Sequence, residues 1–201
     1  MSSIFLTSTG LSDEKIRQEF MRRIGTDRTQ RVAIVTTAAS GKADNKYAKL
    51  AEAQFKKLGF SAVDFIDIEF DSPKILNKYH IIYVCGGNTF YILYHLKKSG
   101  ADKVLSKLLK KSDIIYIGVS AGSIVLAPTI RLAATVDPDP NDIGLTDFTG
   151  LGVIDFEIHP HYDPEQESEI INYEKNSNHK VIRLSNSQAF VLSDSKQKLI
   201  G

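Results

Sequence analysis

Ile114-Ile115-Tyr116-Ile117-Gly118-Val119-Ser120-Ala121-Gly122-Ser123 runs a string of β-formers into a serine framed by two glycines. The first half, Ile114–Gly118, lacks polar alternation and reads as a strand buried on both faces. The second half has the form of a nucleophile elbow. There the chain turns sharply from strand to helix, so the residues around the serine must be small. A serine at such a corner stands exposed at a helix start, where unpaired backbone N–H groups can hold a negative oxygen. Ser123–Ala127 can open that helix before Pro128. The same pattern also describes a tight βα turn with no chemistry, and its surroundings decide between the two.

Working outward, similar apolar runs occur at Ile4–Thr7, Arg31–Thr36, Ala62–Ile66, Ile81–Val84, Val181–Leu184 and Phe190–Leu192. Helical patterns lie between them. Ser12 is placed to cap a helix with Asp13 and Glu14 in its first turn. Tyr47, Ala51, Phe55 and Leu58 make an apolar stripe that stops at Gly59. A third helix spans Thr89 to Gly100, and a fourth carries Val104, Leu105, Leu108 and Leu109. Such alternation predicts an α/β fold with a mostly parallel sheet covered by helices on both faces. Ligands then sit at the carboxyl ends of the strands, where Ser120 falls. The turn-rich, acidic stretch Asp137–Gly152 reads as a long excursion that forms either a wall of the site or a solvated loop.

With 201 residues, 42% of them hydrophobic, the chain suits one domain over residues 1–201. A net charge of +1 and the lack of basic runs argue against nucleic-acid or membrane partners. One cysteine, Cys85, excludes an internal disulfide framework. No basic, apolar leader and no span of roughly 20 apolar residues is present, so a cytoplasmic setting is expected.

A nucleophilic serine needs a base. His80, His95 and His179 read as structural or solvated. His159-Pro160-His161-Tyr162-Asp163 follows the apolar segment Val153–Ile158 and should leave the sheet at a strand end. Pro164 fits the first position of a helix capped by Asp163, which fixes the histidine segment between two elements. The H-x-H pair lacks the companions of a zinc site, so neither metal nor organic cofactor is expected. Cys85-Gly86-Gly87-Asn88-Thr89 ends another strand, and its paired glycines allow close backbone approach to a ligand. No G-K-[ST] follows, which weakens a phosphate-loop reading.

Together, Gly86-Gly87-Asn88-Thr89-Phe90, Gly118-Val119-Ser120-Ala121-Gly122 and Pro160-His161-Tyr162 resemble, in order, the S51 serine peptidases, the family of aspartyl dipeptidase and cyanophycinase. The resemblance implies a three-layer α/β/α sandwich like that of class I glutamine amidotransferases, with serine where those enzymes carry cysteine. It implies Ser120 as nucleophile, His161 as base, and the Gly87 and Ala121 N–H groups as oxyanion hole. Gly86, Asn88 and Thr89 are expected along the substrate path, with Arg131 and His159 as further substrate-side candidates. The family's acidic third member is expected shortly after Val181–Leu184, where this chain has Asn186. An amide can orient a histidine but cannot supply a full charge. Asp137 is the alternative. The expected partner is a small peptide, with other acyl hydrolysis (esterase or cyanophycinase-like) or non-catalytic binding as rival readings. Tyr162–Glu169 holds four acids and no base, which argues against an aspartyl substrate by like charge.

Overall fold

The computed structural model describes residues 2–111, 113–136, 138–193 and 196–201. Its strands are β1 (Ser3–Thr7), β2 (Val32–Val35), β3 (Val63–Ile66), β4 (Ile81–Val84), β5 (Ile115–Val119), β6 (Glu157–His159), β7 (Val181–Arg183), β8 (Ala189–Ser193) and β9 (Lys196–Ile200). Its helices are α1 (Glu14–Ile24), α2 (Lys46–Lys57), α3 (Thr89–Ser99), α4 (Ala101–Lys111), α5 (Ala121–Ile124) and α6 (Glu167–Asn176). Seven strands form one sheet in the order β3-β2-β4-β5-β1-β8-β9. Its first five members run parallel, and β8 and β9 close it antiparallel. Strands β6 and β7 form a separate parallel pair.

The buried strands feed two cores, because successive side chains point to opposite faces. Val32 and Ile34 of β2 join Phe20 of α1 and Phe55 of α2 on one face. Ala33 and Val35 join Leu93 of α3 and Leu105 of α4 on the other. The result is an α/β/α sandwich. On the first face Phe20, Phe55 and Tyr83 meet edge to face, with ring centres 5.9 and 5.7 Å apart.

Three details depart from the sequence reading. The cap of α1 is Asp13, not Ser12. The Asp13 carboxylate accepts the Lys15 and Ile16 N–H groups, while the Ser12 hydroxyl pairs with that of Thr9. On α2, Tyr47 is 65% exposed, and the buried stripe is Ala48, Ala51 and Phe55. Strict fourfold spacing drifts around a 3.6-residue helix, so Tyr47 falls off the stripe. Finally, β9 has no apolar signal, because its Lys196, Gln197 and Lys198 lie exposed at the sheet edge.

Candidate active site

Strands β4, β5 and β1 are neighbours and parallel, so their carboxyl ends lie side by side. The chain leaves β5 through Ser120, whose φ of 49° and ψ of −113° put a non-glycine residue in a costly region. Small neighbours make that corner feasible. A Cβ on Gly118 would lie 2.6 Å from the Gly122 carbonyl oxygen, and one on Gly122 would strike the Val84 carbonyl. The corner is also bolted from below. The Tyr116 hydroxyl donates to the Gly122 carbonyl at 2.6 Å, and the Ser123 hydroxyl accepts the Thr7 N–H at 2.9 Å. The Ser120 N–H donates to the Thr7 carbonyl at 2.9 Å.

Beside the corner runs the glycine turn after β4. A Cβ on Gly86 would come within 3.1 Å of Ser120 Cβ, so this backbone lies against the serine. Gly87 has φ 138°, and any side chain there would collide with the Ala38 carbonyl. Among the described residues, the N–H groups of Gly87 and Ala121 have no backbone acceptor. Asn88 caps α3, its side chain accepting the Tyr91 N–H at 2.8 Å and donating to the Pro140 carbonyl at 2.7 Å. Thr89 is buried, and its N–H donates to the Asp139 carboxylate at 2.8 Å.

The histidine segment leaves β6 at its carboxyl end. His161 has φ 56°, a second non-glycine residue in the left-handed region. Its Nδ1 lies 2.6 Å from Asn186 Oδ1. That oxygen only accepts, so Nδ1 carries a proton, and in the neutral imidazole Nε2 is then the nitrogen with the lone pair. Both side chains are exposed. The end of β1 ties the parts together: the Thr7 carbonyl holds Ser120, the Ser8 hydroxyl accepts the His161 N–H at 3.0 Å, and the Thr9 hydroxyl donates to the Asn186 carbonyl at 2.7 Å. Sequence reasoning missed this hydroxyl run, whose only local signal is three small polar residues at the end of a buried strand.

The profile of Peptidase family S51 matches residues 4–200. The chain belongs to that family. It is 31% identical over 167 residues to an uncharacterized peptidase of Listeria monocytogenes, covering 81% of this chain and 79% of the relative. Peptidase E of a Nostoc species is 29% identical, with 77% of this chain and 62% of that one covered. The crystal structure of a candidate peptidase E protein from Listeria monocytogenes EGD-e superposes with a TM-score of 0.79 at 27% identity, covering 100% of this chain and 98% of the other. The chain is therefore a peptidase with the α/β sandwich of its family.

Around the shelf of this S51 peptidase, the remaining sequence candidates fall at different distances. His159 is one turn of strand back from His161, 5% exposed, with Nε2 2.9 Å from Gln166 Oε1. Arg131 lines a cleft with Glu157, Tyr173 and His179. Glu157 opens β6, at the end opposite the one from which the chain leaves toward His161. Asp137 lies outside the described residues. The excursion that follows it docks along α3 through Asp139, through Lys97 to Asp147 at 2.6 Å, and through Phe90 against Phe148 with ring centres 5.5 Å apart. Arg183, on β7, is held by Glu167 at 3.0 Å and Glu174 at 2.9 Å. Asp163 caps the turn after His161 by accepting the Glu165 N–H at 2.9 Å. Cys85 is buried, and burial pushes its thiol up to about 12, which keeps it protonated and poorly nucleophilic. Among the described residues no helix is long and apolar enough to cross a membrane.

Proposed function

We propose that this peptidase is serine-type and works through an acyl-enzyme, with Ser120 as nucleophile, His161 as general base and Asn186 orienting His161. The observation that carries the reading is the 2.6 Å contact from His161 Nδ1 to Asn186 Oδ1, two residues tied through Ser8 and Thr9 to the strand end that seats Ser120. In this tautomer Nε2 takes the Ser120 proton as the oxygen attacks the peptide carbonyl. The Gly87 and Ala121 N–H groups receive the oxyanion. His161 then protonates the leaving amine, and water attacks the acyl-enzyme by the same route.

The proposed substrates are small peptides with a neutral or cationic first residue rather than aspartate. Two features support this. Asp139 and Asp163 lie in segments joined to the glycine turn and the histidine. The nearby cation Arg183 is already occupied by two glutamates. A buried substrate carboxylate needs a cationic or multiply bonded partner. A cytoplasmic setting belongs to the same proposal, consistent with a single buried cysteine.

A fluorophosphonate probe tests the chemistry. It should label the wild type and leave Ser120→Ala and His161→Ala unlabelled, with both variants folded. A folded wild type that takes no label, or a Ser120→Ala protein that still does, would refute the assignment.

A further inference from the structure

The three residues of the proposed chemistry belong to two different sheets. Ser120 ends β5 in the seven-stranded sheet, whereas His161 and Asn186 follow β6 and β7 of the separate pair. Among the described residues no backbone ladder joins the two sheets. Apolar packing brings them together, as where Phe156 meets Phe190 with ring centres 5.2 Å apart. Such packing is non-directional and does not by itself aim a hydrogen-bond acceptor. Something else must set the angle at which His161 faces Ser120.

We propose that Ser8 is a positioning residue for catalysis, the side chain that locks the base-bearing sheet onto the nucleophile-bearing one. The inference rests on the roles given above to Ser120 and His161. Ser8 follows β1 directly, next to Thr7, whose carbonyl holds the Ser120 N–H. Its hydroxyl accepts the His161 N–H at 3.0 Å and donates to the Leu184 carbonyl at 3.0 Å. One oxygen thus uses its acceptor and its donor on two separate segments, 153 and 176 residues away in the chain. The Leu184 carbonyl also accepts the Tyr162 N–H at 3.0 Å, and the Leu184 N–H donates to the His159 carbonyl at 2.9 Å. Ser8 therefore grips the point where the β6 and β7 exits are already stitched to each other.

The bond falls on the residue that most needs it. His161 holds φ 56°, which a non-glycine residue keeps only when its surroundings over-determine it. Accepting its N–H fixes that peptide plane and hence the direction of the imidazole. Ser8 is 1% exposed, so no water replaces the hydroxyl without rearrangement. Thr9 repeats the device one residue on, donating to the Asn186 carbonyl at 2.7 Å. Two consecutive hydroxyls thus seat the base and its orienting amide. Threonine at position 8 retains a hydroxyl able to make both bonds, whereas alanine loses both.

The test is the saturation kinetics of fluorophosphonate labelling on the full chain, read as a maximal rate and a half-saturating probe concentration. Misplacing a catalytic group by about 1 Å costs up to about a hundredfold. Ser8→Ala should lower the maximal rate by about ten- to a hundredfold and move half-saturation by less than about twofold. Ser8→Thr should restore the rate to within about threefold. Thr9→Val, which removes only the second hydroxyl, should lower the rate in the same way without a change in half-saturation. A folded Ser8→Ala protein labelled at the wild-type rate would overturn the proposal. So would a Ser8→Ala protein that fails to fold while Thr9→Val labels normally, since that makes the hydroxyl run purely structural. Failure of the underlying chemistry looks different: the wild type itself would not be labelled at Ser120.

Discussion

Replacing Asn186 by aspartate puts a charge where the structure has a neutral oxygen, 2.6 Å from His161 Nδ1. The charge centres of imidazolium and carboxylate would then sit about 4 Å apart, an attraction of ~1 kcal/mol in water and ~4 kcal/mol at an effective dielectric of 20. Both side chains are exposed, so the low end applies, about 1–1.5 kcal/mol. One pKa unit, or a factor of ten in rate, corresponds to about 1.36 kcal/mol. In the proposed chemistry, the imidazolium formed as Ser120 loses its proton gains this stabilisation, whereas the neutral imidazole does not. Asn186→Asp should therefore raise the fluorophosphonate labelling rate about five- to thirteenfold at alkaline pH. The same attraction favours protonated His161 in the resting enzyme, so the half-maximal pH of labelling should rise by about one unit. The two profiles should converge on the acid side, where His161 is already protonated before the reaction and the two effects cancel. Asn186→Ala should lose the orienting bond and slow labelling by about two orders of magnitude. An Asn186→Asp profile with an unmoved midpoint, together with a fully active Asn186→Ala, would refute the role given to Asn186.

Three further outcomes are expected. Ser120→Ala and His161→Ala should each lower kcat by orders of magnitude, and the double variant should be little worse than either; additive losses in a kinetic cycle would argue against a single catalytic unit. In a dipeptide panel with Asp, Asn, Ala and Lys first, the neutral and cationic members should be cleaved best; a strong Asp preference that Arg131→Ala abolishes would reverse the electrostatic argument. Glu157 is buried under the Tyr173 hydroxyl, which donates to both its oxygens at 2.9 Å, and burial raises its pKa above the ordinary 4.5. The unfolded chain sheds that proton first, so this group's contribution to stability falls as pH rises from about 4.5. Glu157→Gln keeps an acceptor for Tyr173 and removes the titration. Its melting midpoint should match the wild type near pH 4 and exceed it at pH 8, and a deficit that grows with pH would contradict the assignment.

Several features of this peptidase are written in short stretches of chain. The run into Gly118-Val119-Ser120-Ala121-Gly122 encodes a buried strand and a tight corner, because strand burial and steric crowding at Gly118 and Gly122 act over a few residues. The cap at Asn88, the turn started by Asp163 and Pro164, and the stop of α3 at Gly100 are local for the same reason. The sequence left open what depends on distant partners. Ser12, the expected cap, is an exception to this: its hydroxyl pairs with Thr9, only three residues away, and Asp13 caps α1 instead. The sheet-edge strand β9 owes its existence to pairing with β8, not to an apolar pattern. Arg183 reads as an ordinary basic residue until Glu167 and Glu174 close on it. The seat made by Thr7, Ser8 and Thr9 was least legible of all. The Ser8 and Thr9 hydroxyls reach His161 and Asn186 only when two sheets, separate among the described residues, pack together and bring residues 153 and 177 positions apart within one hydrogen bond.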